Sequence, residues 1–134
     1  MFNLSDKNIS YIIFSPEKDY NSIINNKIQC EKLCSILYSK NYTIIPIVSY
    51  QNNIYENCFI GICNEDNDSI RKDSLYLLDE FSEDSILIKY KNELTPKRVY
   101  SNGSEILLEM CIYDSNTDNK SYIYNGVSFT FNDK

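Results

Sequence analysis

The sequence predicts an α+β fold: a β-α-β-β-α-β core followed by C-terminal β-hairpins, forming a mostly antiparallel sheet with two helices on one side. Three observations predict it. Two stretches carry apolar residues at helical spacing, several short β-branched and aromatic runs are bounded by turn residues, and two Asn-Gly pairs fall in the last third of the chain. At 134 residues the chain is of single-domain size and long enough to bury a core, so residues 1–134 are expected to form one unit.

Residues 8–15 (NISYIIFS) are β-branched and aromatic and end at Pro16, which predicts a first strand. In residues 21–40, Cys30, Leu33, Cys34 and Leu37 repeat every three or four positions and mark one buried helix face. Asn41 suits the helix stop, because Asn tolerates the left-handed conformation. Residues 42–50 and 54–63 read as two strands joined by a tight turn at Gln51-Asn52-Asn53. Pro46 hints at an edge or a bulge in the first of them. An acidic break at 65–68 suits the start of a helix over 69–81, with Ile70, Tyr76 or Leu77, and Phe81 as core contacts. Residues 84–90 form a further strand. Residues 97–101 and 104–113 flank Asn102-Gly103, and Ile106, Leu108, Met110 and Ile112 alternate into an apolar face. Residues 114–119 are a polar loop, and 121–125 and 126–131 meet at the second Asn-Gly.

Composition excludes several functions. The chain has no histidine, which removes the commonest general base, the Ser-His and Cys-His nucleophile pairs and most catalytic metal sites. Three scattered glycines leave no phosphate loop and no dinucleotide fingerprint. No catalytic residue and no cofactor are therefore assigned, and a binding protein is favoured over an enzyme. Thirteen basic against nineteen acidic residues give a net charge of −6, unsuited to duplex nucleic acid. No apolar run is long enough to span a bilayer, so no membrane partner is expected. The N-terminus lacks the pattern of a secretory signal, and five cysteines cannot all pair. Both point to the cytoplasm.

Cys30-x-x-x-Cys34 and Cys58-x-x-x-x-Cys63 offer four thiols for zinc, but Cys58 and Cys63 point to opposite strand faces, and buried free cysteine is an ordinary core residue. No metal site is assigned. Glu56 shares a strand face with Cys58, Ile60 and Ile62, where an acid is unusual unless paired or placed at a pocket mouth. Asn26 continues the buried helix stripe one turn before Cys30. Tyrosines beside strands, Tyr50 among them, suit ligand stacking or interface anchoring, and Lys97 and Arg98 offer a local positive charge for an anion. In the last hairpin alternation is expected to put Tyr122 and Tyr124 on one face and Val127, Phe129 and Phe131 on the other. Two apolar faces would need covering, so Tyr122, Tyr124, Phe129 and Phe131 are predicted to form an interface with a second chain.

Residues 22–106 resemble a small bacterial and phage family known only as a domain of unknown function. The matching stretches are Asn26-Lys27-Ile28-Gln29, Leu33 and Leu37, Asn41-Tyr42, Glu56-Asn57-Cys58-Phe59, and Phe81-Ser82-Glu83-Asp84-Ser85. Gln29 stands where the family commonly has arginine, Cys58 where it has serine, and Glu83 where it has glutamine. The resemblance implies a polar pocket around Asn26, Glu56 and Glu83, with Ser85 beside it. The expected ligand-binding set is therefore Asn26, Glu56, Glu83, Tyr50, Ser85 and Arg98. The expected function is sequestration of a small nucleotide-like ligand or inhibition of a host protein. A carboxylate-based hydrolase using Glu56 and Glu83 and a structural or assembly component, with homo-oligomer formation, are the alternatives.

Overall fold

The computed structural model describes residues 3–112 and 120–133. Its elements run β1 (Ser10–Phe14), α1 (Ile23–Ser39), β2 (Thr43–Gln51), β3 (Ile54–Cys63), α2 (Asn67–Glu80), β4 (Ser85–Lys89), β5 (Lys97–Tyr100), β6 (Glu105–Ile112), β7 (Ser121–Tyr124) and β8 (Val127–Asp133). The expected polar loop at 114–119 lies outside the described residues.

The open, helix-flanked α+β sheet is corrected by the strand pairing. The strands close into an eight-stranded barrel in the order β1-β3-β2-β7-β8-β6-β5-β4, and every pairing is antiparallel. Closure depends on β1, which pairs with β3 on one side and with β4 on the other. All five of its residues are buried, because each face of the strand meets its own core. Tyr11 and Ile13 point into the barrel beside Ile47, Cys58, Ile60, Leu87, Leu108, Tyr122, Phe129 and Phe131. Ile12 and Phe14 point outward into a second core, built with Leu33 and Leu37 of α1 and Ile70, Leu77 and Leu78 of α2. Burying each of these aliphatic side chains stabilises the fold by about 1.5–3 kcal/mol. Gly61 of β3 faces this outer core, where an added Cβ would lie 3.0 Å from the Tyr42 ring and 3.2 Å from Ile12.

Local chemistry fixes the ends of the elements. Ser22 caps α1 by accepting from the Asn25 N–H at 3.1 Å, and Asp66 caps α2 by accepting from Ser69 at 2.8 Å. Both helices end in a left-handed residue followed by a six-to-one backbone bond: Asn41 with Tyr42 N–H to Leu37 O, and Ser82 with Glu83 N–H to Leu78 O. The second of these turns the chain so that Glu83, just before β4, lies at the rim of the barrel. The β2–β3 and β7–β8 hairpins turn on Asn52-Asn53 and Asn125-Gly126, with positive φ at both central residues, as two-residue hairpins require.

One end of the barrel is plugged by Lys89, which has no exposed surface. Its ammonium donates to the carbonyls of Ile9 (2.5 Å), Tyr90 (3.1 Å) and Glu93 (2.9 Å) and lies 5.9 Å from the Tyr11 ring centre. The other end is open. Among the described residues no helix is long and apolar enough to cross a membrane.

Candidate functional site

The open end holds a cavity of about 510 Å³, within the range that takes a small organic ligand. An eight-stranded barrel has an interior just wide enough for packed side chains or for one such ligand. Here the interior divides, filled towards Lys89 and open towards the β1–α1 connection. The floor is apolar, formed by Ile13, Leu87, Cys58, Tyr122 and Phe131. The rim is charged, with Glu17, Lys18, Asp19, Glu56, Glu83 and Lys120 around it and Arg98 on the wall.

Period-two alternation places these groups. On β3, Glu56 follows the inward face of Cys58 and Ile60. On β5, Arg98 pairs with the inward-facing Leu87, whereas its neighbour Val99 packs in the outer core. Most of the charges are already committed. Lys18 is ion-paired with Glu83, and Lys120 with Glu56 at 3.6 Å. Glu17 accepts from the Asn57 backbone N–H at 2.8 Å and from its side chain at 3.1 Å. Arg98 is different: among the described residues it has no ion pair and no hydrogen-bond acceptor. Among the described residues nothing takes up the donors of this half-buried guanidinium, which lines the cavity together with Tyr122 and Phe131.

The structure brings four of the six expected ligand residues to this cavity, namely Glu56, Glu83, Ser85 and Arg98. Asn26 is not in its lining. Its side chain instead clamps the backbone of Lys18, accepting from Lys18 N–H at 2.9 Å and donating to Lys18 O at 3.0 Å. It therefore holds in place the connection that carries Glu17, Lys18 and Asp19. Tyr50 lies outside the barrel because its neighbours Ser49 and Gln51 take the inward direction. Its ring packs 5.5 Å from that of Tyr55, and its hydroxyl meets Ser128 at 3.3 Å.

The expected interface in the last hairpin is also relocated. A two-residue turn makes Tyr124 and Val127, and then Tyr122 and Phe129, direct cross-strand partners, so their side chains share a face. That face is the barrel interior. The Tyr122 and Phe129 rings stack with centres 5.8 Å apart, and Phe131 packs edge-on to Phe129 at 5.5 Å. Tyr122, Phe129 and Phe131 are buried and Tyr124 is half-buried against the same cluster. Tyr122 and Phe131 thus serve the cavity floor.

Sequence reasoning missed Lys18, Lys120 and Ser49 as parts of this region. For Ser49 a signal existed: Ile45, Ile47, Ser49 and Gln51 alternate along β2, turning polar towards one end of a face that is otherwise apolar.

The site is poorly equipped for covalent chemistry. Burial pushes the Cys58 thiol up to about 12, against a weaker opposing pull from Lys120, so at neutral pH it is a thiol rather than a nucleophilic thiolate. Cys30, outside the barrel, is pushed up to about 12 by burial and by the neighbouring Glu17 carboxylate, whose oxygen lies 3.7 Å away. Cys30, Cys34 and Cys63 pack in the outer core and Cys58 in the inner one, so the barrel wall divides the four thiols of the candidate zinc set. Burial also pushes the Tyr122 hydroxyl above its ordinary range, with Arg98 pulling in the other direction. Glu56 and Glu83 lie against separate lysines and, among the described residues, no hydrogen bond joins them. No protein-family model matches the chain, and no curated protein matches it in sequence.

Proposed function

We propose that this barrel is a non-enzymatic binding protein whose open end takes a small, ring-bearing, singly charged anion, nucleotide-like in its chemistry. Arg98 carries the reading: an inward-facing guanidinium, without an acidic partner among the described residues, beside the aromatic floor of Tyr122 and Phe131. A planar guanidinium suits bidentate capture of a carboxylate or a phosphodiester, and the rings suit an apolar or aromatic moiety. The surrounding carboxylates favour one negative charge over two, because a second would meet Glu56, Glu83 and Asp19. Cytoplasmic residence belongs to the same reading, supported by five free cysteines. So does the role of an accessory factor that sequesters its ligand, which the bacterial and phage resemblance suggests.

Isothermal titration against the methyl esters of the four ribonucleoside 5′-monophosphates, which carry a single negative charge, tests the reading. At least one ester should bind, and Arg98→Gln should weaken it about 10- to 100-fold, the scale of a charge-assisted hydrogen bond. The bound ester should also be recovered unchanged after long incubation, whereas its hydrolysis would support the Glu56 and Glu83 alternative. Failure of every ester to bind, or equal binding by Arg98→Gln, refutes the anion site.

A protein target is the second reading. Tyr20 at the cavity mouth and Ile23, Ile24 and Ile28 in the first turns of α1 stand exposed, and exposed apolar groups favour a protein contact.

A further inference from the structure

We infer that the polar lobe beside the main cavity is a hydroxyl-binding subsite, shaped for the vicinal diol of a ribose-like sugar on the same ligand. The inference rests on the anion-site reading and names the second half of that ligand. The lobe, about 260 Å³, is walled by Ile54 and by the polar residues Asp19, Ser49, Gln51, Asn52, Glu56 and Lys120, and shares four of these with the main cavity. One molecule can therefore span both.

Ser49 supplies the independent observation. It is fully buried, yet its hydroxyl has no hydrogen-bond partner among the described residues. A buried hydroxyl without a partner is a cost that native structures rarely keep without a reason. Ser49 follows Ile45 and Ile47 on the inward side of β2, and its cross-strand partners are Glu56 and Tyr122, both in the wall of the main cavity. Ser49 thus lines the lobe, next to cross-strand partners that line the main cavity.

The charges of the lobe select for a neutral group that both donates and accepts. Glu56 and Asp19 repel an anion, and Lys120, 3.6 Å from Glu56, opposes a cation. Two adjacent hydroxyls can donate to the two oxygens of one carboxylate while accepting from an ammonium or a serine hydroxyl. A vicinal diol fits that demand. With Arg98 on the anion and the rings of Tyr122 and Phe131 on the base, each part of a ribonucleotide ester meets a matched group.

The test compares the methyl esters of ribonucleoside 5′-monophosphates with their 2′,3′-dideoxy counterparts on the wild-type chain, Ser49→Ala and Arg98→Gln. The ribo form should bind at least about 10-fold tighter than the dideoxy form, a difference on the scale of one hydrogen bond. Ser49→Ala should weaken the ribo form several-fold, leave the dideoxy form unchanged and not lower the unfolding midpoint. Arg98→Gln should weaken both forms together. Equal wild-type affinity for the two forms, with Arg98→Gln still weakening both, overturns the diol subsite and leaves the anion site standing. A Ser49→Ala chain that binds the ribo form as tightly as wild type also overturns it. No binding by any ester overturns the anion site and this inference together.

Discussion

Replacing Lys89 with methionine removes the plug of the closed barrel end while keeping the unbranched stem. The ammonium is fully buried and donates to three carbonyls, those of Ile9, Tyr90 and Glu93, so the substitution leaves three acceptors without their donor. Each orphaned buried acceptor costs about 1–3 kcal/mol. Two of the three bonds are only partly buried, which places the sum near the lower end, at about 3 kcal/mol. Relief from burying an ammonium offsets part of this, so the net loss expected is about 2 kcal/mol. With an m-value of about 1–3 kcal/mol/M, the urea midpoint at pH 7 should fall by about 1 M. The pH dependence gives a second handle. Burial pushes the Lys89 ammonium below its ordinary range, against the weaker pull of Asp6 and Glu93. Between that lowered value and the ordinary lysine value the unfolded chain binds more protons, so the Lys89 contribution to stability rises with pH. The gap between wild type and Lys89→Met should therefore widen as the solution turns alkaline. An unchanged or higher midpoint for Lys89→Met at pH 7 refutes the plug.

Cys58 sets an opposite trend. Its thiol is raised from 9.0 to about 12 by burial, so the stability it contributes is complete below pH 9 and is lost as pH rises towards 12; Cys58→Ala should flatten the fall of the urea midpoint across that window. Gly61→Ala should destabilise by about 1–3 kcal/mol in the same assay, since the new methyl meets the Tyr42 ring at 3.0 Å and Ile12 at 3.2 Å in a packed core. Asn26→Ala should speed amide exchange at Lys18 and weaken binding of a ribonucleotide ester several-fold, because the connection bearing Lys18 loses both of its clamping bonds.

Much of the local structure is legible in the sequence, because it rests on local rules. Leu33 and Leu37 are buried where the helical spacing puts them, and Glu56 lies on the inward face shared with Cys58 and Ile60. Asn41 does adopt the left-handed conformation that ends α1. The abundance of asparagine has a structural use beyond genome composition. Gly103 and Gly126 take two of the positive-φ positions among the described residues, and the others fall to Asn41, Asn52, Asn53, Asn92 and Asn125, and to Ser82. The site was less legible. Asn26 marks the right region, but it acts through the Lys18 backbone, and no spacing rule gives a contact between residues eight apart across a turn.

Closure of the sheet was not legible, because it depends on one long-range pairing, β1 with β4, which joins residues 11–13 to 87–89. Alternation shows which residues share a face but not whether that face curls round to meet itself. Taking the sheet as open leads directly to the misplaced interface: an open hairpin with aromatic rings on it must find a second chain to cover them. A closed barrel offers another solution, in which Tyr122, Phe129 and Phe131 cover one another and the far strands complete the wall. The same closure sets the surroundings of Arg98. On an open sheet an arginine would be a solvated surface charge, whereas inside a barrel mouth its neighbours are the floor rings and two carboxylates already paired to lysines. Closure thus converts a solvated surface charge into a partly desolvated donor, and the proposed anion site rests on that conversion.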